Sequence, residues 1–161
     1  LPEPVIVELE PHPFAYISLT STLDDTPNTM VNGFETLARL FASVEAAMAG
    51  NPLAHYLAFE VDIVDFDLGF PVLARDVQRL KGAGLLIGET PGGRCMVATH
   101  VGPYDSVSKT YTLMGKTMRA LHVEGARDMW ESYQSPPDTP PQEIRTEVIW
   151  PLLPSAEEAT A

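Results

Sequence analysis

From Thr26 onward, apolar residues recur at Met30, Phe34, Leu37, Phe41, Val44 and Met48, with spacings of 4, 3, 4, 3 and 4. Those intervals hold one stripe on a 3.6-residue turn, so they predict an amphipathic helix. Asp25-Thr26-Pro27 offers a cap and an early-turn proline at its start, and Gly50 and Pro52 mark its end. A second stripe follows Gly102-Pro103 at Val107, Tyr111, Met114, Met118 and Leu121, ending near Gly125. Each helix should bury one face.

Short runs rich in apolar and β-branched residues flank both helices and predict strands. Phe14 to Thr20 precedes the first helix, and His55 to Val61 and Phe66 to Leu73 follow it. Cys95 to Val101 precedes the second, and Met129 to Tyr133 and Thr146 to Leu152 follow. Val5 to Leu9 and Leu85 to Ile87 read as extra short strands, one introducing each half. Met30, Phe34, Leu37, Phe41 and Val44 each lie 77 positions before Val107, Tyr111, Met114, Met118 and Leu121, so the two stripes superpose without a gap. The order strand, helix, strand, strand therefore occurs twice.

This order predicts an α+β fold: duplicated strand-helix-strand-strand units, about 5–73 and 85–154, forming one domain over 1–161. The sheet would be mainly antiparallel, with both long helices on one face and a central cleft between the halves. The linker from Ala74 to Gly93 contains Gly82-Ala83-Gly84, but Ile87 and Pro91-Gly92-Gly93 stand where a dinucleotide fingerprint needs a glycine and a helix. The acidic tail from Ser155 to Ala161 reads as frayed.

Composition narrows the function classes. Hydrophobic residues make up 45% of the 161, enough for a sizeable core. Ten basic residues against 22 acidic ones give a net charge of -12, which repels phosphate backbones and anionic lipid. Neither direct nucleic-acid binding nor a membrane partner is expected, and no apolar run nears the roughly 18 residues of a spanning helix. The opening Leu1-Pro2-Glu3-Pro4 has neither a basic leader nor an apolar signal core. Cys95 is the single cysteine, which suits a reducing, cytoplasmic setting and leaves no thiolate zinc cluster.

Candidate chemistry concentrates near the C-terminal end, in Met129-Trp130-Glu131-Ser132-Tyr133 and Arg145-Thr146-Glu147-Val148-Ile149-Trp150-Pro151. Strand alternation puts Glu131 and Tyr133 on one face and Trp130 on the other, and it groups Glu147 with Ile149 against Val148 and Trp150. If Trp130, Val148 and Trp150 pack under the helices, then Glu131, Tyr133, Glu147 and Ile149 line the helix-free face. A carboxylate among aromatic rings attracts a lipophilic cation through Coulomb attraction, cation–π contact and apolar burial. The plainer reading makes both glutamates solvated strand residues.

Gly69-Phe70-Pro71-Val72, Pro91-Gly92-Gly93-Arg94, His100-Val101-Gly102-Pro103-Tyr104-Asp105 with Tyr111, Trp130-Glu131-Ser132-Tyr133, and Arg145-Thr146-Glu147 with Pro151 occur in this order. Together they resemble the GyrI-like, or AraC-type effector-binding (SOUL-like), small-molecule-binding family, over about Val5 to Pro154. The resemblance implies a duplicated fold around a pocket for hydrophobic, often cationic compounds. It makes Glu131 the buried anionic contact and adds Glu147 and Tyr104 as ligand-binding residues. Tyr133, Ile149, Tyr111, Phe66 and Phe70 complete the candidate lining, although Phe66 and Phe70 equally suit a core and Tyr111, on the apolar stripe, suits a core better than a pocket rim.

Two departures accompany the resemblance. No segment here reads as the helix-turn-helix that precedes this domain in transcription regulators, so a stand-alone binding module is expected. Trp150 stands where relatives often carry an aliphatic or tyrosyl residue. Some family members resemble hydrolases that open strained cyclopropane rings. On that alternative Glu131 is a base acting on water, and Tyr104 stabilises the developing oxyanion. A third reading is a protein-interaction module, such as a gyrase modulator, working through its acidic surface.

No cofactor and no metal are expected. His12, His55, His100 and His122 have no metal-site spacing, and Glu60, Asp62, Asp65 and Asp67 lack a calcium-loop pattern. His100, just before Gly102-Pro103-Tyr104, reads as a hydrogen-bonded turn histidine. Cys95 reads as a buried structural thiol.

Overall fold

The computed structural model describes residues 3–155, with the side chains of Ala58 and Phe59 set apart from that description. Of the tail from Ser155 onward, 156–161 lie outside the described residues. The fold is α+β: the described residues form eight strands, two long α-helices and one short α-helix, in two compact units. Among the described residues no helix is long and apolar enough to cross a membrane.

One unit, Pro11–Thr90, contains β2 (Pro13–Thr22), α1 (Thr26–Ser43), β3 (Leu53–Phe59), β4 (Ile63–Pro71), α2 (Val77–Gly82) and β5 (Leu86–Glu89). Its sheet is antiparallel in the order β3-β4-β2-β5. The other unit takes Leu1–Glu10 and Pro91–Ala161, with β1 (Val5–Leu9), β6 (Gly93–Val101), α3 (Ser108–Leu121), β7 (Met129–Tyr133) and β8 (Arg145–Pro151). Its order, β1-β6-β8-β7, has the same pattern. The two introductory strands are exchanged, however. β1 pairs with β6, and β5 pairs with β2.

The apolar stripes form the helix–sheet contacts. Gly33, Leu37 and Phe41 are buried on α1, and the rings of Phe34 and Phe41 lie 6.3 and 5.6 Å from that of Phe70. On α3, Met114 and Met118 pack with Met96, Ala98 and Val148, joined at the edge by Val107, Tyr111 and Trp150. Burying side chains of this size contributes roughly 1.5–3 kcal/mol each, which outweighs the modest propensity of the threonine-rich α3 sequence.

Helix ends depart from the sequence expectation. α1 stops at Ser43 rather than near Gly50, because Glu45 adopts a left-handed φ of 53° and the Ala46 N–H turns back to the Phe41 carbonyl. Met48 is consequently outside the helix and exposed. α3 closes the same way at His122, with φ 55°. A glycine usually takes this position, so residues without that signature concealed both ends. The linker also folds: α2 buries Leu80, while buried Asp76 pairs with Arg79 at its start.

Candidate functional site

In an antiparallel ladder, directly opposed residues share a face. β6, β8 and β7 align Ala98, Val148 and Glu131 in one row and His100, Thr146 and Tyr133 in the next. Ala98 and Val148 pack on α3, so this face of the sheet looks onto the helix. Glu131 and Tyr133 therefore lie beneath α3. The sequence reading had placed them on the helix-free side.

That reading needs two corrections. Trp130 pairs with Ile149, and Ser132 with Glu147, on the face away from α3. Trp130 is therefore not beneath α3 beside Val148, and Glu147 and Ile149 do not share a face with Glu131. Odd positions of β7 match even positions of β8, a parity set by the length and path of the Pro-rich turn between them. Phe66 and Phe70 belong to the Pro11–Thr90 unit, where Phe70 packs on α1 and Phe66 lies 5.6 Å from Tyr56.

What remains together is a compact set. Glu131 is 8% exposed, and its Oε2 accepts a hydrogen bond from the Tyr111 hydroxyl at 2.6 Å. Its Oε1 accepts another from the Tyr133 hydroxyl at 3.0 Å. The Tyr104 ring stands edge-on to Tyr133 at 5.8 Å, and Tyr111 makes a similar contact with Trp150 at 6.0 Å. Trp150 donates its indole N–H to the Ala126 carbonyl at 2.8 Å. One carboxylate thus binds two tyrosine hydroxyls, whose rings in turn contact Tyr104 and Trp150.

Burial pushes the Glu131 carboxyl above the ordinary range, because removal from water penalises the charged form. Hydrogen bonds from Tyr111 and Tyr133 and the influence of His100 act in the opposite direction. Tyr104, half exposed, is raised by burial and by the charge of Glu131. On the far face, burial raises Glu147, partly offset by a hydrogen bond from Gln134.

His100 braces this set. Its Nδ1 lies 2.9 Å from Thr110 Oγ1 on α3, and its Nε2 lies 3.0 Å from both the Pro103 carbonyl and Ser106 Oγ. A carbonyl only accepts, so Nε2 carries a proton and donates it to Pro103. The turn bearing Tyr104 is thereby tied to β6 and α3. Thr110 and Ser106 are absent from the sequence reading, and Thr146 enters it only as a strand and motif position; strand register and the i+10 relation of His100 to Thr110 reveal their part here.

The internal repeat supplies a control. Tyr111 corresponds to Phe34 at the 77-residue offset, and Glu131 corresponds in the matching row to Ala54, which pairs with Leu68 as Glu131 pairs with Val148. One scaffold has an apolar version and a charged version. The polar substitutions converge on Glu131 and are not required by the fold.

A family model of the GyrI-like small molecule binding domain matches residues 2–153. The chain belongs to this family. No curated protein sequence matches it. Among solved structures, the GyrI-like chain is similar to a hydrolase from Listeria innocua, at 16% identity and TM-score 0.67, covering 94% of this chain and 92% of that one. It is also similar to SAV2435 bound to tetraphenylphosphonium, at 11% identity and TM-score 0.65, covering 94% of each chain. The EcmrR C-terminal domain matches at 12% identity and TM-score 0.70, covering 94% and 97%. At these identities the likeness shows a shared fold.

Tyr111→Phe removes the shorter of the two hydroxyl donors. Hydrogen bonds to charged groups contribute about 1.5–3 kcal/mol, so thermal unfolding at neutral pH should shift down by about 3–12 °C. An unchanged Tm would show that the pair contributes nothing.

Proposed function

We propose that this GyrI-like domain binds lipophilic organic cations, with Glu131 as the electrostatic anchor and Tyr104, Tyr111, Tyr133 and Trp150 as the aromatic surround. The observation carrying this reading is the nearly buried Glu131 carboxylate, held by two tyrosine hydroxyls. A buried charge without a cationic partner is costly, and a delocalised cation with an apolar surface offsets that cost while stacking on the rings. The tetraphenylphosphonium-bound state of SAV2435 supports the same ligand class. Titration should show tetraphenylphosphonium binding at least about tenfold more tightly than the neutral triphenylphosphine oxide, a difference of about 1.4 kcal/mol. Equal affinities would reject the anchor.

A second reading is favoured by the half-exposed Tyr104 phenol near the raised Glu131 carboxyl. There Glu131 accepts a proton from a water that adds to a strained ring, and the Tyr104 hydroxyl donates to the developing oxyanion. Product analysis after incubation with activated cyclopropanes decides it. Ring-opened product that disappears in Glu131→Gln supports a hydrolase, and unchanged substrate supports binding alone.

A further inference from the structure

Thr146 lies at the centre of the row His100, Thr146, Tyr133 and is fully buried. Its Oγ1 has no hydrogen-bond partner among the described residues. The polar neighbours are committed elsewhere. His100 engages Thr110, Pro103 and Ser106, and the Tyr133 hydroxyl donates to Glu131. Buried hydroxyls are normally satisfied, so an orphan in the row next to that of Glu131 needs a reason. The repeat shows that the fold does not demand it: the equivalent row in the other unit is Leu19, Phe66 and Tyr56, with Phe66 in the place of Thr146.

We propose that the Thr146 hydroxyl is a second recognition point of the Glu131 site, selecting cations that also carry a hydrogen-bond acceptor. This rests on Glu131 being the ligand anchor. The unpaired group is an O–H that meets no acceptor among the described residues, and a carbonyl or ether oxygen on the ligand would complement it. A ligand of this kind recovers a hydrogen bond that the free protein leaves unmade, and such recovery is worth about tenfold in affinity. Charge at Glu131 supplies attraction, while Thr146 discriminates among cations.

The test compares tetraphenylphosphonium with phenacyltriphenylphosphonium, a cation of similar bulk bearing a ketone, on the full chain and on Thr146→Val. Valine keeps the shape and removes the hydroxyl. The expected result is a loss of about tenfold for the ketone, a change below about twofold for tetraphenylphosphonium, and a Tm equal to or above that of the wild type. Thr146→Ser should restore the preference. A parallel change for both cations, no change for either, or a Tm several degrees lower would overturn the proposal. Glu131→Gln separates the two ideas, because it should weaken both cations alike. If it weakens neither while Thr146→Val still discriminates, the anchor fails and the Thr146 contact stands. A wild-type protein that binds neither cation overturns both.

Discussion

Replacing Glu131 with Gln is expected to weaken tetraphenylphosphonium binding by about thirty- to a hundredfold at neutral pH, while triphenylphosphine oxide changes by less than about threefold. Glutamine keeps the shape and an acceptor for one tyrosine hydroxyl, and its amide N–H can meet the other oxygen. What disappears is the charge. Losing one partner of a desolvated charge interaction costs on the order of 2 kcal/mol or more, which sets the lower figure. Equal weakening of the cation and the neutral compound would assign the effect to altered packing.

Stability should move the other way. The Glu131 carboxyl is raised in the folded protein by burial, so the fold holds this proton more tightly than the unfolded chain does. Its stabilising contribution is fully present below the ordinary carboxylate range and is lost as pH rises through the raised value. Glutamine has no proton to lose there. Glu131→Gln should therefore unfold no earlier than wild type in acid and later at neutral pH, a pattern expected of a residue kept for binding rather than for folding.

Gly69→Ala should produce the largest loss of stability. Gly69 faces Tyr16 across the β4–β2 ladder, and a Cβ there would lie 2.0 Å from the Ala15 carbonyl oxygen and 2.7 Å from Tyr16 Cα. Both are backbone atoms in a continuous run of pairing, so relief requires the ladder to move. Overpacking of this kind costs about 3 kcal/mol or more, a fall of about 6–12 °C in Tm. Gly33→Ala is the internal comparison. Its Cβ would approach Leu19 Cδ1 at 2.9 Å and Leu68 Cδ2 at 3.0 Å, the tips of side chains that can rotate. Alanine also gains about 0.8–1 kcal/mol of helix propensity, so its net change should be small. Similar losses from both substitutions would show that backbone proximity is not what Gly69 relieves.

The repeated helix stripes and most strand locations were legible because burial imposes a period, as at Met114 and Met118 or along Phe66, Leu68 and Phe70. The family resemblance singled out Glu131, which the structure buries to 8% exposure rather than leaving it solvated on an open face. Strand parity was not legible. Trp130 and Glu131 are equally compatible with either face until pairing with Val148 decides, and that pairing depends on the Pro-rich path through 134–144. The exchange of β1 and β5 escaped for a related reason, since short strands carry no partner information in their own residues. Helix ends at Glu45 and His122 lacked the glycine that normally marks them. Thr146 gave no signal, because an orphan hydroxyl is defined by what its neighbours already bind.

If a bound cation meets an ionised Glu131 beside its tyrosines, binding must be linked to proton release. Burial raises this carboxyl in the free protein, and a cation beside it must lower it again. Calorimetric titration of tetraphenylphosphonium in buffers of differing ionisation enthalpy, repeated across mildly acidic to neutral pH, counts the protons. Wild type is expected to release protons on binding in the acidic part of that range, with affinity rising as pH rises, and Glu131→Gln to release none. Binding without proton release, or the same release from both proteins, would contradict it.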